Sequence, residues 1–355
     1  MAYETSVNEA PSSSMSAPKT VPVVDFSRFL HGSVADKRAI AREIDEAFRN
    51  VGFVYLQNHG VPQQKVDECF EWSQRFFALP EAVKKLAPHP PGGSHHRGYS
   101  GLGVEKVTQN VFDSNEVEAL RQMPDFKESF ESGNVHDQMQ PNIWLPDEEL
   151  PGFRQFMEAF FLDCAGLIHT ILRALAISLS LPPSQLSDAH SQSLFQLRLL
   201  HYPSIPSSLL HSGEKSRIGA HSDFGTLTLL FQDDVGGLEI QHPQTEEFIA
   251  APPIPGGVLV NIGDLMMRWS NGRWRSTVHR VVAPPVSKVE REELGDEEAE
   301  TEMCRPRYSI PFFATADPET VIECLPGCEG PDGKKEFEAM TALEYVQMRM
   351  AALYA

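Results

Sequence analysis

The chain has few cysteines and no long uninterrupted apolar run. Its 355 residues include five cysteines, too few and too scattered for a disulfide framework. Cys324 and Cys328 are close in sequence, but no second cysteine pair or nearby histidine completes a zinc site. No stretch approaches the roughly 18 consecutive apolar residues of a membrane span. We therefore expect reduced thiols, a cytoplasmic location and no membrane partner.

Positive charge is also scarce. Lys and Arg number 30 against 49 Asp and Glu, which gives a formal charge of −19. This excess of acid repels phosphate backbones and anionic lipids, so we do not expect a nucleic acid partner. Part of it lies in residues 288–302 (KVEREELGDEEAETE), where eight acids accompany two bases. That stretch is typical of a solvated or disordered loop, with an acidic interaction patch as the alternative.

Apolar residues, at 41 %, suffice for a large core. Residues 1–19 lack an apolar run and are rich in Ser, Pro and Ala, which predicts a disordered tail and not a signal peptide. Apolar residues then recur at helical spacing in three segments, 34–52, 63–80 and 153–182. The last segment is apolar on too many sides for a surface helix, so we expect it to pack against a sheet.

The second half of the chain consists of short β-rich runs separated by Gly, Pro and Asn. Many short strands with turn signals indicate a sandwich or a barrel-like double sheet. Helices first and strands after, without strict alternation, predict a single α+β domain. We place this domain at 20–355, with a helix-rich part at 20–190, a β core at 195–315 that carries an acidic loop at 288–303, and a C-terminal part at 316–355.

Two polar residues interrupt the apolar stretch at 217–240 (RIGAHSDFGTLTLLFQDDVGGLEI). Burial of an unpaired imidazole or carboxylate is unfavourable, so His221 and Asp223 need a compensating partner. Residues i and i+2 of a strand share a face, and the β-like segment RWRSTVHRVV supplies His279. Two His and one Asp match the facial triad that leaves open coordination positions on Fe(II). The alternative for each histidine is ordinary packing, since an isolated His-x-Asp is common by chance.

Arg307 and Ser309 form a second pair at i and i+2, in the apolar segment RPRYSIPFF. An inward arginine needs an anion, and its planar fork suits a carboxylate, to which serine adds a donor. If Arg307 shares a cavity with the metal, the ligand is a carboxylate with a metal-binding end, that is, an α-keto acid. The alternative is a structural salt bridge with one of the many acids.

Several phrases occur together in a fixed order from about residue 20 to the C-terminus. The long ones are HSDFGTLTLLFQDDVGGLEI, GVLVNIGDLMMRWSNGRWRSTVHRVV and RPRYSIPFF; the weaker ones are VPVVDFS, GFVYLQNHGVP, RGYSGLG and KESFESG. In these phrases the chain resembles the 2-oxoglutarate- and Fe(II)-dependent dioxygenases of the isopenicillin N synthase-like branch. The resemblance implies a distorted double-stranded β-helix, or jelly roll, with helices packed outside it.

The resemblance also implies roles for particular residues. His221, Asp223 and His279 would hold Fe(II), and Arg307, assisted by Ser309, would bind the distal carboxylate of 2-oxoglutarate. Tyr202 matches a family tyrosine near this co-substrate. Many relatives read Asn-Tyr-Tyr-Pro where this chain has LHYP, so only the tyrosine is carried over.

Four aromatic residues are candidates for the substrate pocket: Phe224, Phe313, Tyr99 and Phe130. The first two occupy positions that often line the pocket in relatives, and the other two lie in the weaker phrases. Plain core packing is an equal alternative for all four, because aromatic side chains are usually buried.

With Fe(II), 2-oxoglutarate and O2, such a protein would hydroxylate or desaturate a small organic molecule. The overall pattern of its sequence resembles that of tailoring enzymes of microbial secondary metabolism. Within enzymes, the alternative is an oxidase of the isopenicillin N synthase type, in which the Arg-x-Ser pair holds the substrate's carboxylate. A non-catalytic receptor would be expected to have lost a metal ligand or the arginine, and a zinc hydrolase would need a motif such as His-Glu-x-x-His, which is missing.

Overall fold

The computed structural model describes residues 20–91, 95–104, 125–211, 217–283 and 303–354. Its helices are α1 (Ser27–His31), α2 (Val34–Asn50), α3 (Gln63–Phe77), α4 (Glu81–Lys84), α5 (Phe153–Ser178), α6 (Gln185–Asp188), α7 (Ser207–His211), α8 (Asp264–Trp269) and α9 (Ala342–Tyr354), with a 3-10 turn at Pro331–Gly333. Its strands are β1 (Val23–Asp25), β2 (Phe53–Gln57), β3 (Gly98–Ser100), β4 (Glu128–Gly133), β5 (Gln196–Tyr202), β6 (Ile205–Pro206), β7 (Ile218–His221), β8 (Leu227–Gln232), β9 (Leu238–Gln241), β10 (Phe248–Ala250), β11 (Gly257–Ile262), β12 (His279–Val281), β13 (Met303–Cys304), β14 (Arg307–Ala314), β15 (Val321–Ile322) and β16 (Met340–Thr341). The predicted tail 1–19 and the predicted acidic loop 288–303, except for Met303, lie outside the described residues.

Helix α2 begins at a capping box. The hydroxyl of Ser33 accepts the N–H of Asp36 at 3.2 Å, and the Asp36 carboxylate accepts the N–H of Ser33 at 3.0 Å. The apolar residues that predict this helix, among them Ile40, Ile44 and Phe48, are buried. They pack the helix against α5.

Helix α5 is the long apolar helix of the fold, and 13 of its 26 residues are buried. It contacts α2, α3 and α6 on the helical side and β4 and β8 of the sheet. Among the described residues, it is the one helix whose length and composition alone would suit a membrane span, a property that buried core helices share. Its packing agrees with the predicted position against a sheet.

Two β-sheets face each other to form the jelly roll. The larger has the strand order β1-β2-β11-β8-β14-β5-β4-β3, and the smaller has the order β10-β9-β12-β7. Apolar side chains from both sheets fill the space between them, including Phe53, Leu259, Ile218 and Ile240. The predicted fold class, an α+β protein with a jelly-roll core and flanking helices, is confirmed. The predicted division of the chain into domain parts stays a prediction.

Strand β14 lies in the middle of the larger sheet, antiparallel to both β5 and β8. Because side chains alternate along a strand, Arg307, Ser309 and Phe313 line the space between the sheets, whereas Ile310 and Phe312 pack on the helices. The larger sheet thus presents an arginine and a serine to the interior. The smaller sheet presents the two histidines.

Candidate metal centre and active site

The structure brings His221, Asp223 and His279 together. Strands β7 and β12 pair antiparallel with His221 directly opposite His279, and their ring centroids lie 4.3 Å apart. His279 Nε2 lies 3.8 Å from Asp223 Oδ1. One potential ligand atom from each of the three residues lies within 4.8 Å of the others. Strand β7 ends at His221, so Asp223 belongs to the following turn and not to the strand that its i+2 spacing predicts.

Backbone carbonyls orient both imidazoles. Nδ1 of His221 donates to the carbonyl of Gly219 at 2.8 Å, and Nδ1 of His279 donates to that of Thr277 at 3.2 Å. Since a carbonyl can only accept, each Nδ1 carries a proton, and Nε2 is the ring nitrogen available to a metal. This arrangement of outer hydrogen bonds is typical of metal-binding histidines.

Two side-chain donors fix the carboxylate of Asp223. Its Oδ2 accepts hydrogen bonds from Thr228 Oγ1 at 2.6 Å and from Asn261 Nδ2 at 2.8 Å. These bonds leave Oδ1 facing His279. The aspartate is therefore held through one oxygen and offers the other as a ligand.

The protonation states of His221 and Asp223 suit a divalent cation. Burial, followed by the proximity of His279, lowers the pKa of His221 to about 3. Burial alone would raise the pKa of Asp223, but the two imidazoles and the bonds from Asn261 and Thr228 bring that pKa below its ordinary value. At neutral pH His221 is thus unprotonated and Asp223 is ionised, which are the forms that bind a metal.

Two glycines allow the turn after Asp223 to dock closely on its neighbours. A Cβ on Gly225 would lie 2.2 Å from the carbonyl oxygen of Ala314, and one on Gly263 would lie 2.2 Å from the carbonyl oxygen of Gly225. The N–H of Asp264 also donates to the carbonyl of Asp223 at 2.8 Å. These backbone contacts position the carboxylate relative to the histidines.

Arg307 is 1 % exposed and points into the same cavity. Its Nη1 donates to Ser309 Oγ and its Nη2 to Gln232 Oε1, both at 3.1 Å, while Nε has no acceptor. Its Cζ lies 5.0 Å from the ring centroid of Tyr202, which is its cross-strand partner on β5. Within the described ranges Arg307 forms no ion pair with a carboxylate, so a structural salt bridge does not account for its burial.

A cavity of about 1440 Å³ among the described residues joins the triad to this arginine. Phe224 and Phe313 line it, and so does Tyr99, whose hydroxyl donates to Glu128 at 2.6 Å. All three therefore line the cavity, and their contact with substrate stays a prediction.

Phe130, unlike the other three aromatic candidates, is not among the described residues that line the cavity. The alternation of β4 turns it towards the helices, where its ring packs against those of Phe76 and Phe153. This position corrects the prediction of Phe130 as a pocket residue: its contacts are those of core packing.

Several polar residues of the cavity had no role in the sequence prediction. Asn261 and Thr228 lie in apolar strands. The signal in the sequence that could have identified them is a polar residue at a position that faces the interior. Lys127 and Arg198 line the wall formed by β4 and β5, where they form ion pairs with Asp125 at 2.7 Å and Glu131 at 2.9 Å. From helix α9, Ala342, Leu343 and Val346 complete the lining.

These residues fit the cofactors that the resemblance implies. Three converging ligand atoms with fixed outer hydrogen bonds suit one divalent ion bound on a single side. A buried guanidinium whose Nε has no acceptor, and which has no carboxylate partner, in the part of the chain that the structure describes suits a keto acid whose distal carboxylate would provide that acceptor. Jelly roll, triad and arginine together define the class of mononuclear non-haem iron oxygenases.

Comparison with known proteins gives the family. Residues 21–147 match the family described as "non-haem dioxygenase in morphine synthesis N-terminal", and residues 194–316 match the 2OG-Fe(II) oxygenase superfamily. The chain belongs to the 2-oxoglutarate- and Fe(II)-dependent oxygenases, enzymes that use Fe(II), 2-oxoglutarate and O2. The resemblance seen in the sequence is thereby confirmed.

Individual relatives span nearly the whole chain. It is 38 % identical to the 2-oxoglutarate-dependent dioxygenase frbA of Dothideomycetidae sp. (strain 11243), over 94 % of this chain and 97 % of that protein. It is 35 % identical to the proline hydroxylase buaE of Petromyces alliaceus, over 93 % and 98 %. A full-length protein of Neurospora crassa, crystallised with alpha-KG and also with alpha-KG and thymine, is a structural neighbour. In the alpha-KG complex it is 36 % identical with a TM-score of 0.82, over 94 % of this chain and 96 % of that one.

Proposed function

We propose that His221, Asp223 and His279 hold Fe(II), and that Arg307, Ser309 and Tyr202 hold 2-oxoglutarate. The observation that carries this proposal is the convergence of three ligand atoms within 4.8 Å in a cavity that also contains a buried arginine, which has no carboxylate partner among the described residues. The two histidines and Arg307 belong to facing sheets, so the keto acid can extend from the metal to the arginine. Its metal-binding end would point to the histidines and its distal carboxylate to Arg307.

When bound, Fe(II) and the keto acid supply O2 activation, coupled to decarboxylation of 2-oxoglutarate, for attack on an unactivated C–H bond. The protein's own contribution is to keep His221 neutral and Asp223 ionised, and to hold all three ligands in fixed orientations. Arg307 fixes the keto acid, and the apolar wall at Phe224 and Phe313 limits the access of water.

We further propose that the substrate is a small metabolite with a polar or charged group. The cavity is apolar at Phe224 and Phe313 and charged at Lys127 and Arg198, so it suits a compound with both kinds of surface. The names of the relatives favour amino acids and pyrimidines as first candidates, since one is a proline hydroxylase and another is bound to thymine. A role in secondary metabolism and a cytoplasmic location are part of this proposal; the five buried cysteines, none in a disulfide, support the latter.

The experiment is a turnover assay with the iron-loaded protein and a panel that contains L-proline, thymine and related compounds. We expect succinate formation to rise with one class of substrate, in proportion to the hydroxylated or desaturated product and to O2 consumed. Asp223→Ala serves as the inactive control. Product formation without 2-oxoglutarate would instead indicate an oxidase in which Arg307 binds the substrate, and iron-independent turnover would contradict the proposal.

A further inference from the structure

A second arginine is completely buried next to the proposed keto-acid site. Arg217, the residue before β7, is 0 % exposed. Its Nη2 donates to the carbonyl of Arg305 at 2.8 Å, whereas its Nε and Nη1 have no acceptor. In the part of the chain that the structure describes, it forms no ion pair with a carboxylate. A full positive charge thus lies in the interior with a single neutral acceptor, which is unfavourable unless an anion compensates it.

Arg217 and Arg307 share one aromatic ring. The Cζ atoms of the two arginines lie 5.8 Å and 5.0 Å from the ring centroid of Tyr202. Each guanidinium gains from the ring, but the two like charges oppose each other. Tyr202 and Arg307 line the cavity, whereas Arg217 does not and therefore lies behind them.

The carboxylate of Asp233, which interacts with both arginines, hydrogen-bonds to the backbone and to neither guanidinium. Its oxygens accept the backbone N–H groups of Tyr308 and Val235. Among the described residues, two guanidinium charges around Tyr202 thus interact with this one carboxylate, which leaves one positive charge without a counterpart. That excess equals the charge of one further carboxylate.

We propose that Arg217 is a positioning residue of the 2-oxoglutarate pocket: its charge and its contact with Tyr202 strengthen binding of the distal carboxylate, which Arg307 touches directly. The inference rests on the proposed function, since it takes 2-oxoglutarate as the ligand. It also means that Arg217 and Arg307 repel each other in the pocket without the keto acid. Binding of the keto acid's carboxylate compensates this repulsion.

The test measures the Kd for 2-oxoglutarate by calorimetry, without turnover, on protein loaded with Mn(II) in place of iron. Arg217→Met removes the charge and keeps an unbranched, although shorter, side chain, and we expect the Kd to rise roughly tenfold. Arg217→Lys keeps the charge and should lose much less affinity for 2-oxoglutarate. Pyruvate, which lacks the distal carboxylate, should bind equally to the wild type and to Arg217→Met. Arg154→Met, which removes an exposed cation on α5, should leave both Kd values unchanged.

Thermal melting gives a second readout. Without ligand, Arg217→Met should melt at or above the wild-type temperature, because an uncompensated buried charge has been removed, and the rise on adding 2-oxoglutarate should shrink. If that variant does not fold, Arg217→Gln, which is neutral and retains a polar amide, replaces it in both measurements. Equal losses of affinity in the Lys and neutral variants, or an unchanged Kd, would overturn the inference. A wild type that binds no 2-oxoglutarate would instead contradict the proposed function itself.

Discussion

The two ends of the active cavity are prepared for their ligands in different ways. At the metal end, both histidine Nδ1 atoms and one oxygen of Asp223 have hydrogen-bond partners, and only the atoms that face one another remain for a ligand. At the arginine end, Arg307 and Arg217 retain N–H groups without acceptors and have no carboxylate partner among the described residues.

This difference shows that the orientation of the metal ligands and the positive charge at the arginine end depend on different residues. At the metal end, two imidazoles lie beside one hydrogen-bonded carboxylate, and the carboxylate does not repel either ring. The arginines do repel each other, so that end of the cavity gains most from an anion. We therefore expect substitutions at the metal end to act on metal affinity and those at the arginine end to act on keto-acid affinity.

The largest effect should follow from Asp223→Ala. It removes the single negative ligand and leaves Thr228 and Asn261 without their shared acceptor. Iron binding should fall by more than the roughly 10–100-fold typical of outer-sphere changes, and turnover should fall to background. Metal titration on the folded variant, checked by circular dichroism, measures this. A folded variant with normal activity would refute the triad.

The next effect should follow from Arg307→Ala. Loss of one partner of a buried charge pair removes about 2–5 kcal/mol, which is roughly a 30-fold or greater rise in the 2-oxoglutarate KM. The control is Arg305→Ala, which removes an exposed guanidinium from the segment just before β14. An unchanged 2-oxoglutarate requirement in Arg307→Ala would assign the arginine to another ligand.

A smaller effect should follow from Asn261→Ala, which removes one of the two donors to Asp223 and leaves all three ligands in place. We expect metal affinity to fall by about 10-fold, with the 2-oxoglutarate KM at saturating metal nearly unchanged. Asn271→Ala is the matched control, because that amide is also buried but bonds the carbonyls of Cys328 and Lys334. Equal metal affinity in both variants would show that Asn261 does not orient the ligand.

Much of this site could be predicted from the chain, because period-two alternation and the residue types of the motifs determine which side chains point inward. The groups that support these side chains from outside the site could not be predicted. Gly219 and Thr277 act through their backbone carbonyls, which any residue supplies, and Arg217 depends on a contact across to Tyr202 in the other sheet. Phe130 was misplaced for a related reason: an aromatic residue in a strand carries no sign of which face is covered by helices.

The smallest effect should follow from Ser309→Ala, and it tests how the arginine end is built. Ser309 Oγ accepts from Arg307 Nη1 at 3.1 Å, so its loss leaves a further N–H of that guanidinium unsatisfied. One neutral hydrogen-bond partner contributes about 0.5–1.5 kcal/mol, which corresponds to roughly a 2- to 12-fold rise in the 2-oxoglutarate KM. Metal affinity should not change, because Ser309 lies on β14 and no ligand of the triad contacts it through a hydrogen bond. If Ser309→Ala weakened metal binding as much as Asn261→Ala does, the two ends of the cavity would not be independent, and orientation and charge could not be treated as separate properties of this site.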